Sequence, residues 1–349
     1  MFLDAAEIAG LHVISLVHEN VAAATMFAID RLDDEKALNV LFYNMGGIDT
    51  EVTIAKFSTV TDDKGKVFEH VEILAETVDQ TLGGEEFDKV IVDMMVDAFN
   101  AMPERKGKAS VRTNEKAMKR LFKEAIKVKD ILSANKVADV KVPELLDYVT
   151  LRTVLERSDF ENKSKHLLER ISRPVEEALS ISGLTYDEID QVEILGGGLR
   201  IPRVHELIKT ATQKHELMVH LNGDEAMCFG AAFIAANSSS SFKVRKVYLT
   251  QHPQFGYRIE IRPMEEQKVS EESNITYSKD FTLFKKTDYL GSKKTVALNY
   301  DRNMKVDVFG VYNNDKEELL ATYLIDEIDD ISENGIAKKE NSTLPKVSL

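Results

Sequence analysis

The sequence predicts an α/β fold followed by an all-β module, and three observations carry that prediction. Glycine clusters stand at the ends of β-rich runs, at 46–47, 83–84 and 196–198. Apolar stripes of helical period lie between those runs. Near residue 237, at the serine-rich stretch NSSSSFK, helical periodicity gives way to short alternating runs separated by turns. The chain of 349 residues is long enough for about two domains. The boundaries read as 1–236 for the α/β part, with a mostly helical insertion at about 84–160, then 237–246 for a linker, and 247–349 for the β module.

Taken in order, MFLDAAEIAGLHVISL reads as an amphipathic helix running into a short strand at His12–Val17, and VAAATMFAI as a second helix. It has no basic leader region and no small-residue cleavage site, and it carries Asp4 and Glu7, so it does not read as a signal peptide. NVLFY, Gly46-Gly47 and TEVTIAKF form strand, glycine turn and strand, a hairpin pattern. Residues 67–78 give a third strand. After Gly83-Gly84, the spacing of Phe87, Ile91, Met94, Met95 and Ala98 predicts a helix. MPERKGKASVRTN is a polar loop. Asn114 is a good N-cap for a long helix with the stripe Met118, Leu121, Phe122, Ala125, Val128 and Leu132. Ser158 with Glu161, and Thr185 with Glu188, have capping-box spacing. QVEIL is a strand, Gly196-Gly197-Gly198 a turn, and Pro202 the first residue of another helix. Beyond the linker, VYLTQ, YRIEIR, NITYS, FTLF, TVALNY, MKVDVFGVY and LLATYLI predict an antiparallel β module with an unpaired edge.

Charge and composition exclude several classes. With 45 basic and 59 acidic residues, net charge −14, the chain lacks the clustered cationic footprint of a nucleic-acid binder. No apolar run is long enough to span a membrane. One cysteine, Cys228, rules out a disulfide within the chain; its run AMCFGAAFIAA predicts a buried small hydrophobe. The eight histidines have no metal-ligand spacing, and no histidine-built metal site is expected. No G-x-S-x-G nucleophile pattern occurs. What remains is the glycine clusters. Glycine lets backbone N–H groups approach phosphate oxygens without an intervening Cβ, and a helix starting just beyond adds its dipole. Taken singly, each pair reads equally as a tight turn. Lys129 and Ser133, four residues apart, share a helix face. They read as a ribose or phosphate contact or as a solvated pair.

Read together, HENVAAATMFAID, NVLFYNMGGIDTEVTI, TLGGEEFD, KVKDILSAN, VEILGGGLRIPRV and LNGDEAMCFGAAFIAA occur in the order, and at about the spacing, of the heat-shock protein 70 family. They resemble the second half of its actin-like ATPase domain. The module after the linker is similar in position and length to the first part of that family's substrate-binding β-sandwich. The FKV-x-K linker and the LSAN after the long helix resemble the large, hypoxia up-regulated branch of the endoplasmic reticulum lumen, with cytosolic large relatives as the competing branch. Four N-x-S/T sequons, at Asn162, Asn237, Asn274 and Asn341, agree with a secretory-pathway protein.

The resemblance implies a site for ATP or ADP. Gly46, Gly47, Ile48 and Asp49 would border the phosphates together with Gly83 and Gly84. Lys129 and Ser133 would lie along the adenosine, Gly197, Gly198 and Arg200 would form its loop, and Asp224 would flank the same pocket. Glu19 would couple nucleotide state to the domain interface, although Asn20 replaces the proline expected beside it. Asn44 replaces an expected carboxylate, and Ile126 stands where a ribose-binding glutamate is common. The family's first lobe, which carries the magnesium carboxylates, would precede Met1, and a helical lid would follow the last residue. The chain therefore reads as part of a larger ATP-dependent chaperone, with magnesium expected only together with the first lobe. Implied partners are unfolded client polypeptides. The competing reading is a non-hydrolysing exchange factor or holdase that serves a heat-shock protein 70 partner. Neither nucleic acid nor membrane is an expected partner.

Overall fold

A computed structural model describes residues 2–31, 37–239, 241, 244–253, 255–264, 278–299, 303–312, 316–326 and 346–348. The contacts divide the chain into two compact units, Met1–Leu249 and Thr250–Leu349. In the first, α1 (Phe2–Ile8) and α2 (Glu19–Arg31) precede β1 (Leu38–Met45), β2 (Thr50–Thr61) and β3 (Val67–Asp79). Then come α3 (Gly84–Asn100), α4 (Glu115–Ala134), the hairpin β4 (Val137–Leu146) and β5 (Val149–Glu156), α5 (Arg157–Lys163), α6 (Lys165–Leu168) and α7 (Arg173–Ser182). β6 (Gln191–Leu195), α8 (Pro202–Thr212), α9 (Ala226–Ser238) and β7 (Val247–Thr250) complete it. No helix among the described residues is long and apolar enough to cross a membrane.

The strand order β6-β1-β2-β3-β7 makes one mixed sheet, with β1 antiparallel to β2 and parallel to β6. Alternation along the strands sends side chains to two cores. Leu41, Tyr43, Met45, Val52 and Ile54 join the helices α3 and α4 and the β4–β5 hairpin in the larger one. Val40, Phe42, Ala55 and Phe57 join α2 and α9 in the other, where Phe27 stacks at 5.0 Å from Phe57 and 5.7 Å from Phe42. In β3 the register slips opposite Ile54 and Ala55, leaving Leu74 as an extra residue. This bulge turns Ile73 to one core and Ala75 to the other, although they share parity. The two helices of the smaller core touch where a Cβ on Gly230 would lie 1.9 Å from the Ala22 carbonyl.

Several local expectations hold. β6 covers QVEIL, Pro202 opens α8, and the Asn114 side chain accepts the Ala117 N–H at 2.9 Å to cap α4. The Thr185–Glu188 capping box forms, but on a single 3-10 turn. Others are corrected. Residues 12–17 form no strand, because no described strand lies beside them to complete a ladder. Ser158 lies inside α5, whose N-cap is Glu156, so no capping box forms there. The insertion at 84–160 is mostly helical, through α3 and α4, but it also holds an unexpected hairpin: β4 and β5 pair antiparallel through a turn at Asp147 and Tyr148, both with positive φ. Arg105, its guanidinium almost fully buried, binds Asp147 and the Ala109 carbonyl and lies 5.1 Å from the Phe99 ring, tying this hairpin to the loop after α3. Cys228 is exposed, because α9 buries only Ala226 and Gly230.

VYLT, expected at the start of the β module, instead adds to the edge of the first sheet beside β3 as β7. Asn237 Nδ2 donates to the Val247 carbonyl at 2.7 Å, and Tyr248 stacks edge-on with Phe68. In the second unit β8 (Gly256–Pro263), β9 (Lys279–Phe284), β10 (Ala297–Asn299), β11 (Met304–Val311), β12 (Glu317–Ile325) and β13 (Lys346–Ser348) are all strands. They form a four-stranded antiparallel sheet in the order β12-β11-β8-β9 and a two-stranded β10–β13 pair. Ile259, Ile261, Met304 and Val306 make its small core. Most of NITYS, most of the acidic stretch after Asp326, and the sequons at Asn274 and Asn341 lie outside the described residues.

Candidate functional site

The three glycine clusters converge. The turn after β1 closes with Gly46 N–H donating to the Asp49 carbonyl at 3.0 Å. The first two amides of α3 then donate into that turn, Gly84 N–H to Gly46 O at 3.0 Å and Glu85 N–H to Gly47 O at 2.7 Å. The N-terminus of α3 therefore spends its amides on holding the turn. Thr50 Oγ1 donates to the Leu82 carbonyl at 2.5 Å and draws the TLGG segment in from the other side. Approach this close needs glycine: a Cβ on Gly83 would lie 2.4 Å from the Ile48 backbone, and one on Gly198 would lie 2.9 Å from Met45 O and 3.0 Å from Gly46 O. Gly196 has φ +93° and faces Met45 O.

Two glycines differ. A Cβ on Gly47 or on Gly197 would meet nothing within 4 Å among the described residues, and neither has a left-handed backbone. Protein packing does not require glycine at either place; both border open space on rims of the same loops.

Lys129 reaches this junction from α4. Its ammonium donates to the Gly84 carbonyl at 3.0 Å and to Asp88 Oδ2 at 2.8 Å. Asp88 was not expected from sequence. Its signal is its place one turn into α3, four residues after Gly84. Burial pushes the Asp88 carboxyl up, against the opposing pull of Lys129, and its Oδ1 is buried without a hydrogen-bond partner among the described residues. Ser133, expected beside Lys129, donates instead to the Lys129 carbonyl of its own helix at 2.9 Å. Arg200 ends the 3-10 turn Gly197–Arg200, exposed and without an ion pair among the described residues. Asp224 follows Gly223, whose Cβ would stand 3.4 Å from Gly196 N, so its turn adjoins the third cluster.

Glu19 opens α2 and accepts from Asn44 Nδ2 at 3.3 Å. Asn44 pairs across the ladder with Glu51. Burial first, then the Glu19 and Asp49 carboxylates, push the Glu51 carboxyl up to about 7. His18 binds Glu76 at 2.8 Å, and that bond raises the imidazole's affinity for its proton. No group of three His, Cys, Asp or Glu side chains among the described residues could hold a metal ion.

The family model described as Hsp70 protein matches residues 2–333. The chain belongs to the Hsp70 family. Among its curated relatives, hypoxia up-regulated protein 1 of Xenopus laevis is 33% identical over 300 residues, 85% of this chain and 46% of the relative. The protein of that name from Danio rerio is 35% identical over 268 residues, 76% of this chain and 27% of the relative. The one from Homo sapiens is 35% identical over 245 residues, 70% and 24% respectively. This Hsp70 chain thus spans less than half the length of the curated relatives it matches. Its resemblance to the large, hypoxia up-regulated branch, read from the FKV-x-K linker and LSAN, agrees with these relatives.

Proposed function

We propose that this chain contributes the adenine-nucleotide site, and part of the polypeptide-binding module, of an ATP-dependent Hsp70-type chaperone that assists protein folding in the endoplasmic reticulum lumen. ATP or ADP binds along Gly46–Asp49, Gly83-Gly84 and Gly197-Gly198. The open-space glycines Gly47 and Gly197 admit phosphate oxygens and the nucleoside. Lys129, its charge paired with Asp88, lies along the adenosine, and Arg200 packs its guanidinium plane against the base. Glu19 couples occupancy to the domain interface, by binding one conformation better than another. The observation that carries the reading is the pair Gly47 and Gly197, glycines that no packing among the described residues requires.

A second reading has its own support. Asn44 where a carboxylate is expected, and Asp49 as a negative charge beside the phosphate turn, suit a protein that uses nucleotide without hydrolysing it. That protein would be an exchange factor or holdase for an Hsp70 partner. The cytoplasm is the alternative compartment.

Calorimetric titration of ADP and ATP into the chain tests the nucleotide reading. Gly47→Val and Gly197→Val place their Cβ in open space, so each should weaken binding more than about tenfold while leaving thermal stability nearly unchanged. Wild-type chain that binds neither nucleotide, or a Gly197→Val chain that binds as the wild type does, overturns it.

A further inference from the structure

Glu193 lies in the middle of β6 between Val192 and Ile194, and it is fully buried. A carboxylate removed from water is tolerated only where its oxygens are hydrogen-bonded. Here Oε1 accepts the backbone N–H of His220 at 2.6 Å and of Leu221 at 2.8 Å, and Oε2 lies 3.1 Å from His220 Nδ1. The gripped segment starts as a fragment of ladder: Met218 N–H donates to the Val192 carbonyl at 2.8 Å, and Ile194 N–H donates to the Met218 carbonyl at 2.9 Å. After Met218 the ladder ends, and the Glu193 side chain becomes the acceptor for the amides of 220 and 221. The chain then makes its next turn, where Asp224 N–H donates to Asn222 Oδ1 at 3.1 Å and Gly223 comes up against Gly196.

We propose that Glu193 is a positioning residue of the glycine-rich site, its carboxylate fixing segment 218–221 on β6 and so holding the Gly223–Asp224 turn against Gly196 and the Gly197–Arg200 loop. What that loop binds rests on the nucleotide reading above. The position requires an acceptor rather than a volume. An aliphatic side chain would match the flanking Val and Ile but leave two amides without a partner.

The test combines amide hydrogen exchange with ADP calorimetry on the full chain. In Glu193→Leu, the amides of His220, Leu221 and Gly196–Arg200 should exchange roughly tenfold or more faster, and ADP should bind about tenfold more weakly. Glu193→Gln keeps a carbonyl acceptor for both amides and should stay within about twofold of wild type in both measurements. If Glu193→Leu does not fold, Glu193→Asp, which withdraws the carboxylate by one methylene, carries the same expectation. Unchanged protection at 196–200 in the Leu or Asp variant overturns the proposal, as does a Gln variant that behaves like Leu. Wild-type chain that binds no ADP overturns the nucleotide reading alone, and the exchange comparison still decides the role of Glu193.

Discussion

Lys129 and Asp88 form a largely buried ion pair at 2.8 Å, and the same ammonium holds the Gly84 carbonyl, so one side chain of α4 secures the start of α3. Removing one partner of such a pair leaves the other charge uncompensated, whereas removing both need not. Lys129→Met should therefore destabilise the first unit by about 3 kcal/mol. The double variant Lys129→Met/Asp88→Leu should recover most of that loss. Urea unfolding of the three proteins measures it, and a double variant as unstable as the single one would show that the pair is not the cause.

Glu51 gives a pH dependence with a definite sign. Its carboxyl stands at about 7 in the folded chain against an ordinary 4.5, so the folded state binds its proton more tightly than the unfolded state. The group's contribution is most favourable below about pH 4.5. It declines as pH rises from there through about 7, then stays constant. Allowing for partial exposure, the loss is about 1 kcal/mol. Glu51→Gln should remove it, making the variant more stable than wild type at pH 8 but not at pH 4.5.

Gly196 combines a left-handed backbone with a Cβ position 2.3 Å from the Met45 carbonyl. Gly196→Ala should lower stability by at least about 2 kcal/mol, from strain and overpacking together. Gly107→Ala has positive φ but no neighbour within 4 Å, and should cost about 1 kcal/mol. Thermal unfolding of the two variants separates the clash from the backbone term.

Passed through a secretory pathway, the chain should accept a glycan at Asn162, which is exposed, and not at Asn237, whose amide nitrogen is engaged by the Val247 carbonyl. A glycosidase-sensitive gel shift that Asn162→Gln reduces by one glycan, and that Asn237→Gln leaves unchanged, is the expected result. A shift that survives Asn162→Gln but is lost in Asn237→Gln would contradict the packing of β7.

On its own the chain should not turn over ATP. On the nucleotide reading proposed above, Asp49 would stand beside the phosphates as a like charge, opposing the charge that phosphoryl transfer builds up. Single-turnover assays should stay at the buffer rate with and without magnesium.

Much of this was legible because local chemistry announces it. The Asn114 cap, the Pro202 start and the strand–glycine–strand of β1 and β2 depend on residues adjacent in sequence. The β4–β5 hairpin was hidden because Asp147 and Tyr148 occupy positive φ where glycine or asparagine would have signalled a turn, and because Pro143 interrupts the strand pattern. The expected strand at His12–Val17 had the right composition, but a strand needs a neighbour, and composition does not supply one. At the site, the glycines were visible one cluster at a time. Their convergence followed only from the resemblance to the heat-shock protein 70 family, and Asp88 was not visible at all, because both depend on contacts between α3, α4 and the turn after β1.

The two amides that α3 donates to the carbonyls of Gly46 and Gly47 make the turn and the helix a single moving part. A helix of 17 residues is about 25 Å long. Its far end, at Phe99 and Asn100, meets the Arg105 loop and through it the tip of the β4–β5 hairpin. The glycine turn and a surface remote from it therefore stand at the two ends of one packed rod.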